Sequence, residues 1–436
     1  MSEVVSNHYL EDLLKTYPPQ HTTSALPWLR QLRTEAVDRI SALKMPTTRD
    51  EEWRFTDISP LTEVPFQVAQ TIPQLQPAEI KYHYLQEAAT RLVFIDGQYA
   101  SALSTINNDS GIIVGNLSTL LTSYSAEIAP HLGRYASFND NIFAALNTAF
   151  LHDGAVIIVP KNISIAPPIH LLFIATQKEV TSYPRCLIVA EPGSHVTVVE
   201  DYIAQQEVAY VTNSVTEVSV ADDAHVNHIR LQRDSHQAFH IANCTATLAH
   251  ASNFQSINVA LGARISRCNL NVQLASEGAE CTVNGLALIK EQQLADTHTF
   301  IDHIKPNGTS RQLHKCIVDG ASHAVFNGKI MVQPNAQQTD SSQTSRNLLL
   351  TGQAQVNTKP QLEIFADDVK CAHGATVGQL DPEEIFYLKS RGLSGLAARN
   401  LLTYAFGAEI IDRIPITSLK NQLEKAVLEY TQSAEP

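Results

Sequence analysis

The sequence is short of positive charge and of long apolar runs. It carries 31 Lys and Arg residues against 44 Asp and Glu residues, a formal net charge of -13. Because it has no local basic patch, it would repel a nucleic acid. No apolar stretch approaches the roughly 18 residues of a membrane-spanning helix, and residues 1–14 lack the basic start and apolar run of a targeting segment. We therefore expect a soluble, cytoplasmic protein with no nucleic-acid or membrane partner.

Motifs for redox chemistry, nucleotide binding and serine hydrolysis are also missing. None of the 6 cysteines belongs to a CxxC pair, and in a reducing compartment most should be small buried residues with free thiols. There is no GxGxxG or GxSxG motif. The nearest approach to a P-loop is Gly328-Lys329, but Ile330 stands where Ser or Thr is required. The chain by itself is therefore not expected to bind ATP.

The pattern along the chain predicts three regions. A length of 436 residues with 44% apolar residues can bury a sizeable core. Residues 1–150 are predicted to be mainly helical, with helices at 9–16, 28–43, 78–91 and 139–151. From 151 to 374, β-branched and small residues alternate with polar ones, which favours strands. Residues 375–436 form a second helical region.

A degenerate repeat runs through the β region. Its units have a small or polar start and an apolar end, and their last positions are 30, 28, 27, 43 and 32 residues apart. This period is typical of a solenoid, and each unit has room for two or three short strands, too few for a propeller blade. We therefore predict a stacked β-helix, with the long step explained by a loop inserted at residues 296–314. The units end at Val196, Val226, Phe254, Cys281, Ala324 and Val356.

The C-terminal helices have clear start and stop signals. Asp381 can cap a helix that has Pro382 at its first position and two glutamates near its positive end. Arg391 and Gly392 end it. Ser394 can cap a second helix, which runs to about residue 414, and a third is predicted at 418–430.

Most candidate metal and acid-base residues have a structural explanation. The 17 histidines include His225 and His228, which would face opposite sides of a strand. Taken singly, such histidines are expected to be solvated or hydrogen-bonded on the exterior of the solenoid. The Asp pairs at 222–223 and 367–368 could hold calcium or do acid-base work, but Asp-Asp is equally typical of a turn.

The strongest candidate site is Lys370-Cys371-Ala372-His373-Gly374. On an extended segment the thiol and the imidazole point to the same side, and Lys370 would lower the pKa of the Cys371 thiol. Together they could bind an iron or sulfur atom. Two ligands do not close a metal site, so partners would have to come from elsewhere in this chain or across an interface. The alternative is a buried cysteine beside a turn.

Around this site the sequence resembles the SufB/SufD family of the SUF iron-sulfur cluster assembly machinery, and within it the SufD branch. The resemblance is carried by residues 347–350 and 359–376, including Cys-x-His-Gly-Ala-Thr at 371–376. It extends to Phe-Tyr-Leu-Lys-Ser-Arg-Gly at 386–392 and to Glu-Glu-Trp-Arg-Phe-Thr at 51–56. It covers most of the chain and is strongest over the last hundred residues or so.

The resemblance implies a right-handed parallel β-helix between helical terminal regions, and a non-catalytic scaffold role. It implies a complex with SufB and two copies of the ATPase SufC. It also implies that this complex can bind a reduced flavin. Cys371 and His373 would lie at the SufB interface and hold iron or a transient iron-sulfur cluster. SufC would dock on the C-terminal helices, where the expected contact residues are Phe386, Tyr387, Arg391, Tyr404 and Phe406.

Two other functions are kept open by the residues themselves. A β-helix can be a carbohydrate lyase or hydrolase, which would need a groove of carboxylates and an exported chain. It can also be a self-associating structural protein, and an isolated chain of this kind could form a homodimer through the surface that pairs with SufB.

Overall fold

The computed structural model describes residues 3–16, 26–69, 71–107 and 111–432. The chain is mainly β, with 41% strand and 23% helix, and forms a parallel β-solenoid of about eight turns between helical terminal regions. The predicted fold class is confirmed. The helices are α1 (Glu3–Lys15), α2 (Pro27–Ala42), α3 (Ser59–Thr62), α4 (Pro77–Ile80), α5 (Leu117–Leu120), α6 (Ser125–Ile128), α7 (Ile142–Ala149), α8 (Pro382–Ser390), α9 (Gly395–Ile411) and α10 (Thr417–Gln432).

The strands before the regular coils are short and vary in length. They are β1 (Gln67–Val68), β2 (Thr90–Ile95), β3 (Gln98–Tyr99), β4 (Ile113–Asn116), β5 (Gly154–Val159), β6 (Ile169–Ala175), β7 (Val180–Ser182) and β8 (Arg185–Ala190). The coils continue through β9 (His195–Ala204), β10 (Val211–Val220), β11 (His225–Arg233), β12 (Phe239–Leu248), β13 (Asn253–Ala260), β14 (Ile265–Leu274), β15 (Glu280–Ile289), β16 (Leu294–His303), β17 (Thr309–Val318), β18 (His323–Val332), β19 (Thr339–Leu349), β20 (Gln355–Ile364) and β21 (Val369–Gly378).

Successive strands alternate between two sheets. Sheet A runs in the order β20-β18-β16-β14-β12-β10-β8-β5-β4, and sheet B in the order β21-β19-β17-β15-β13-β11-β9-β6-β2-β3. The pairings between coils are parallel, whereas the β4–β5 and β2–β3 pairs at the N-terminal end are antiparallel. At the C-terminal end, β20 and β21 are the last strands of their sheets, so the solenoid ends there with two unpaired strand edges among the described residues.

The long repeat step is not an inserted loop. The first four repeat units begin β9, β11, β13 and β15 of sheet B, whereas the last two begin β18 and β20 of sheet A. The step of 43 residues therefore spans one and a half coils, and residues 296–314 lie mostly in β16 and β17. The prediction was wrong because strands of both sheets begin after the same kind of tight turn, which gives them the same local sequence signal.

The prediction of a helix at residues 78–91 is also wrong. The structure has only the short α4, one 3-10 turn at Lys81–His83, and then strand β2 from Thr90. Pairing of β2 with β6 buries Leu92 and Phe94 inside the solenoid. This tertiary pairing outweighs the weak local helical pattern, as β-branched and aromatic residues favour a strand when a partner is available.

The repeat itself is confirmed as an inward-facing column. Val196, Val226, Phe254 and Cys281 occupy the same register on adjacent strands of sheet B and are all buried in the solenoid interior. Burying such side chains stabilises the coil by roughly 1.5–3 kcal/mol each. The column shows which face of every sheet B strand points inward, and this phase extends to the last strand.

Helices cover part of both outer faces. Helix α7 and Met45, just after α2, pack with Phe239, Ile241 and Ile265 of sheet A. Helices α9 and α10 pack on sheet B, where Ile410 and Leu423 lie against strand residues such as Leu231. In the described part of the chain, no helix has the length and apolarity needed to cross a bilayer.

Candidate functional site

Cys371 and His373 lie two residues apart on β21, at the open end of sheet B. Because side chains alternate along a strand, both face the same side. Cys371 is half-buried and packs against the interior cluster, which places this side inward, whereas His373 is exposed. The prediction that the two side chains share a face is thus confirmed, and they lie on a strand with one unpaired edge rather than sealed inside the chain.

The thiol of Cys371 is not activated by its neighbour. Burial raises its pKa above the ordinary value of 9.0, and only a backbone hydrogen bond from Ser341 opposes this. Lys370 lies at the next position and therefore on the opposite face of the strand. The expectation that Lys370 lowers the thiol pKa is wrong, because the alternation of the strand separates the ammonium group from the sulfur.

The imidazole of His373 is exposed at the open end of sheet B. In the part of the chain that the structure describes, it makes no hydrogen bond, ion pair or ring contact. The same residues contain no group of three or more His, Cys, Asp or Glu side chains that could hold a metal ion. One thiol and one imidazole are half of a tetrahedral ligand set, so the described residues supply at most half of such a site at this edge.

A polar ladder lies directly behind the site, and sequence reasoning missed it. Thr299 Oγ1 donates to Gln312 Oε1 at 2.8 Å, Gln312 Nε2 donates to Gln343 Oε1 at 3.1 Å, and Gln343 Nε2 donates to the carbonyl oxygen of Gly328 at 3.1 Å. Gln312 and Gln343 continue the inward phase of the repeat. Nothing in the local sequence marks them as buried, because residues 309–312 and 339–347 are polar at every position.

The prediction of an exterior location holds for some of the other histidines, such as His225 and His236, but not for others. His228, His240, His303 and His314 are buried, and of the predicted pair only His225 is exposed. His228 pairs with Glu200 at 2.9 Å and His240 with Asp234 at 2.8 Å. Burial lowers the pKa of His303 to about 4 and that of His314 to about 3. The other two also have partners inside the solenoid, since His303 lies 2.9 Å from the Ser310 hydroxyl and His314 stacks on Phe326.

The Asp pairs lie in turns between strands, as the structural interpretation predicts. Asp223 has a φ of 57° in the left-handed region, and Asp222 Oδ1 accepts the backbone N–H of His250 at 3.0 Å. Asp367 and Asp368 lie in the bend between β20 and β21. Neither pair forms a groove of carboxylates.

The five expected docking residues fall into two groups. Phe386 and Tyr387 lie on α8, which buries no residue, and are 73% and 56% exposed. Arg391 follows this helix and its guanidinium lies 5.2 Å from the Tyr387 ring centroid. Tyr404 and Phe406 lie on α9 and pack against sheet B. Lys315 donates to the Phe406 carbonyl oxygen at 2.9 Å, and its ammonium lies 4.4 Å from the Phe406 ring centroid.

Two family models match the chain. The model described as SUF system FeS cluster assembly, SufBD core domain, matches residues 173–406, which include β7 to β21, α8 and most of α9. The chain belongs to the SufBD family. A second model, the SufBD protein N-terminal region, matches residues 5–171. This SufBD protein is therefore a component of iron-sulfur cluster assembly.

Curated relatives resemble this SufBD protein over most of their length. An iron-sulfur cluster assembly SufBD family protein of Synechocystis is 40% identical over 407 residues, covering 91% of this chain and 89% of that protein. The iron-sulfur cluster assembly protein SufD of Escherichia coli is 34% identical over 384 residues, or 87% and 88%. SufD of Bacillus subtilis is 26% identical over 430 residues, or 96% and 97%.

Proposed function

We propose that this SufBD protein is the SufD-type, non-catalytic scaffold subunit of the SUF complex, which pairs with SufB and docks the ATPase SufC. The observation that carries the proposal is the pair Cys371 and His373 on an open strand edge, with no third ligand among the described residues. A site of this kind is completed by an interface. Iron or a nascent iron-sulfur cluster is its cargo, and we assign the missing ligands to SufB.

The open end of the solenoid suits a second β-helix. Strands β20 and β21 each have an unpaired edge whose backbone groups can hydrogen-bond to a strand of another chain. Phe365 and Val377 are 60% and 49% exposed at this end, so pairing would also bury apolar surface. If the isolated chain finds no SufB, the same edges would support a homodimer.

Helix α8 suits an ATPase contact. Its exposed Phe386 and Tyr387 have little packing to lose within this chain and much area to bury against a partner. Tyr404 and Phe406 would contribute indirectly, because they pack α9 against sheet B and do not lie on the exposed face of α8. Closure of a bound ATPase on α8 would thus transmit force through α9 to the coils behind Cys371. The chain itself needs no ATP in this scheme.

We place the reduced flavin implied by the family resemblance in the assembled complex. In the described residues, one cleft lined by Trp53 and Phe300 has a volume of about 380 Å³ and another lined by Arg264 and Ile265 has about 830 Å³, both within the size range of small-molecule pockets. The placement in the complex therefore rests on the family resemblance and not on pocket size. Flavin absorbance that co-purifies with the complex, and is absent from the isolated chain, would support this placement, and flavin bound by the isolated chain would refute it.

The scaffold role is tested by reconstituting the complex with His373→Ala, Cys371→Ser or both, and measuring cluster formation spectroscopically. We expect His373→Ala to reduce the yield at least tenfold, because half of the chain's ligand set is lost. His225→Ala is the matched control, since His225 is an exposed histidine on another strand of sheet B. An unchanged yield in the double variant would remove this site from the mechanism.

The docking role is tested by pull-down of SufC with Phe386→Ala/Tyr387→Ala. Deleting the whole tail is a poor test, because α9 and α10 bury residues such as Ile410 and Leu423 on sheet B and the core would be exposed. We expect the double variant to lose capture while keeping its melting temperature. Leu428→Ala changes an exposed apolar residue of α10 and should retain capture. Equal capture by both variants would contradict the assignment.

A further inference from the structure

His373 is the last member of an inward-facing column of sheet B, and the two residues behind it are glutamines. In the parallel register, His373 pairs with Gln343, Gln343 with Gln312, and Gln312 with Val283. Adjacent strands of a sheet are about 4.8 Å apart. The His373 imidazole and the Gln343 carboxamide are therefore next neighbours on the same face, with no residue between them.

The Gln343 carboxamide is held in one place from two sides. Its Oε1 accepts from Gln312 and its Nε2 donates to the carbonyl oxygen of Gly328. The carboxamide also fills the space of a missing side chain, because a Cβ at Gly328 would lie 2.5 Å from Nε2 and 2.6 Å from Oε1 of Gln343. With Gln343 only 1% exposed, this amide is preorganised before any ligand arrives.

Both neighbours have hydrogen-bonding capacity left. A carboxamide has two N–H donors and two acceptor sites on its oxygen, and the described contacts of Gln343 use one of each. The ring of His373 is without a hydrogen-bond partner among the described residues. A histidine that binds a metal through one ring nitrogen nearly always donates the N–H of the other to a carbonyl, carboxylate or water.

We infer that Gln343 is the positioning residue of His373. When the open end is covered and His373 binds iron or the cluster, the free lone pair of Gln343 Oε1 accepts the N–H of one ring nitrogen, and the other nitrogen presents its lone pair to the metal. Gln312 and Gly328 fix the orientation of this acceptor. The inference rests on the proposed function, since it describes how His373 acts as a ligand.

The experiment replaces Gln343 in the full chain in two ways. Gln343→Met keeps most of the side-chain volume but removes both hydrogen bonds, whereas Gln343→Ala also leaves a cavity. Ser345→Ala is the matched control, because Ser345 lies on the same strand and the same face but pairs with Ala375 instead of His373. Cobalt(II) is titrated onto each protein, and the thiolate-to-cobalt absorption reports binding at Cys371. Cys371→Ser and His373→Ala define the background.

We expect Gln343→Met and Gln343→Ala both to weaken cobalt binding tenfold or more and to lower cluster yield in the reconstituted complex, with Ser345→Ala unchanged. If Gln343 only packs, Met would restore both readouts and the inference would be refuted. If the isolated chain binds no cobalt, the yields decide alone: a loss in both Gln343 variants supports the inference, and wild-type yields refute it.

The two hypotheses fail in different ways. If His373→Ala lowers cluster yield but both Gln343 variants match the wild type, the positioning role is refuted and the proposed function stands. If the Gln343 variants lose cobalt affinity while His373→Ala leaves cluster yield unchanged, the hydrogen bond is supported and the proposed function is refuted.

Discussion

Arg185 and Glu217 form an ion pair that is completely buried beneath the N-terminal region. The guanidinium Nη2 lies 2.7 Å from Oε2 of Glu217, and the two side chains are 1% and 0% exposed. The carboxylate also accepts the backbone N–H groups of Gly133, Tyr135 and Ala136. One side chain of sheet A therefore anchors the loop that precedes α7.

We expect Glu217→Ala to lower the free energy of unfolding by about 3–5 kcal/mol, because it leaves the buried Arg185 charge without a carboxylate and the backbone N–H groups of Gly133, Tyr135 and Ala136 without this acceptor. Urea unfolding followed by circular dichroism measures this. Glu429→Gln is the control, since Glu429 pairs with Lys425 on the surface at 62% and 60% exposure, where pairs contribute little. A loss equal in both variants would contradict the anchoring role.

His298 should make the attachment of the N-terminal segment depend on pH. Its Nδ1 lies 3.1 Å from Glu52 Oε2 and its Nε2 lies 2.9 Å from Asp296 Oδ1. Burial and Arg267 lower the pKa of His298, but the two carboxylates outweigh them and raise it above its ordinary value of 6.5. The hydrogen bond with His298 in turn lowers the pKa of Glu52 below its ordinary 4.5, although burial opposes this.

The sign follows from these directions. A raised histidine pKa stabilises the fold fully below pH 6.5 and the contribution is lost as pH rises through the folded-state value. A lowered carboxyl pKa, here that of Glu52, stabilises the fold above pH 4.5, and this contribution is lost as pH falls through the folded-state pKa. We expect the free energy of unfolding of the wild type, measured by urea unfolding, to exceed that of His298→Gln by about 2 kcal/mol near pH 5.5. The difference should be smaller at pH 8. A difference that grows towards pH 8 would contradict this assignment.

Gly328 should not tolerate a side chain, whereas Gly352 should accept one without loss of stability. An added Cβ at Gly328 meets the Gln343 carboxamide at 2.5 Å, while one at Gly352 meets nothing within 4 Å. We expect Gly328→Ala to cost about 1–3 kcal/mol in unfolding free energy and Gly352→Ala to leave it nearly unchanged. Because the displaced amide lies behind His373, Gly328→Ala should also weaken cobalt binding. Equal stability of the two variants would contradict the packing.

Thiol labelling should single out Cys371. The other five cysteines are buried, and burial raises the pKa of Cys281 and Cys316 to about 12, so they should react only after unfolding. Cys371 is the one partly exposed thiol, all 6 cysteines lying in the described residues. We expect one slow-reacting thiol per native chain with Ellman's reagent, and none in Cys371→Ser. A rate that is already maximal at pH 7 would contradict the raised pKa of Cys371.

The motif around Cys371 and His373, the inward column that begins at Val196 and the caps of the C-terminal helices could all be predicted from the sequence. Each depends on near neighbours: a strand alternates with period two, and Asp381 caps α8 by accepting the backbone N–H of Glu383 at 2.8 Å. The same local signals begin strands in both sheets. For that reason they could not show that the step of 43 residues crosses from sheet B to sheet A.

Only the tertiary structure decided which polar side chains are buried and what they contact. The sequence predicts an exterior location for histidines such as His314 and makes no prediction for Gln343, yet stacking of coils places both inside, the first against Phe326 and the second behind His373. The same stacking buries the Cys371 sulfur enough to raise its pKa, and leaves His373 at an open edge. Burial and register depend on residues about thirty positions away, and no local pattern records them.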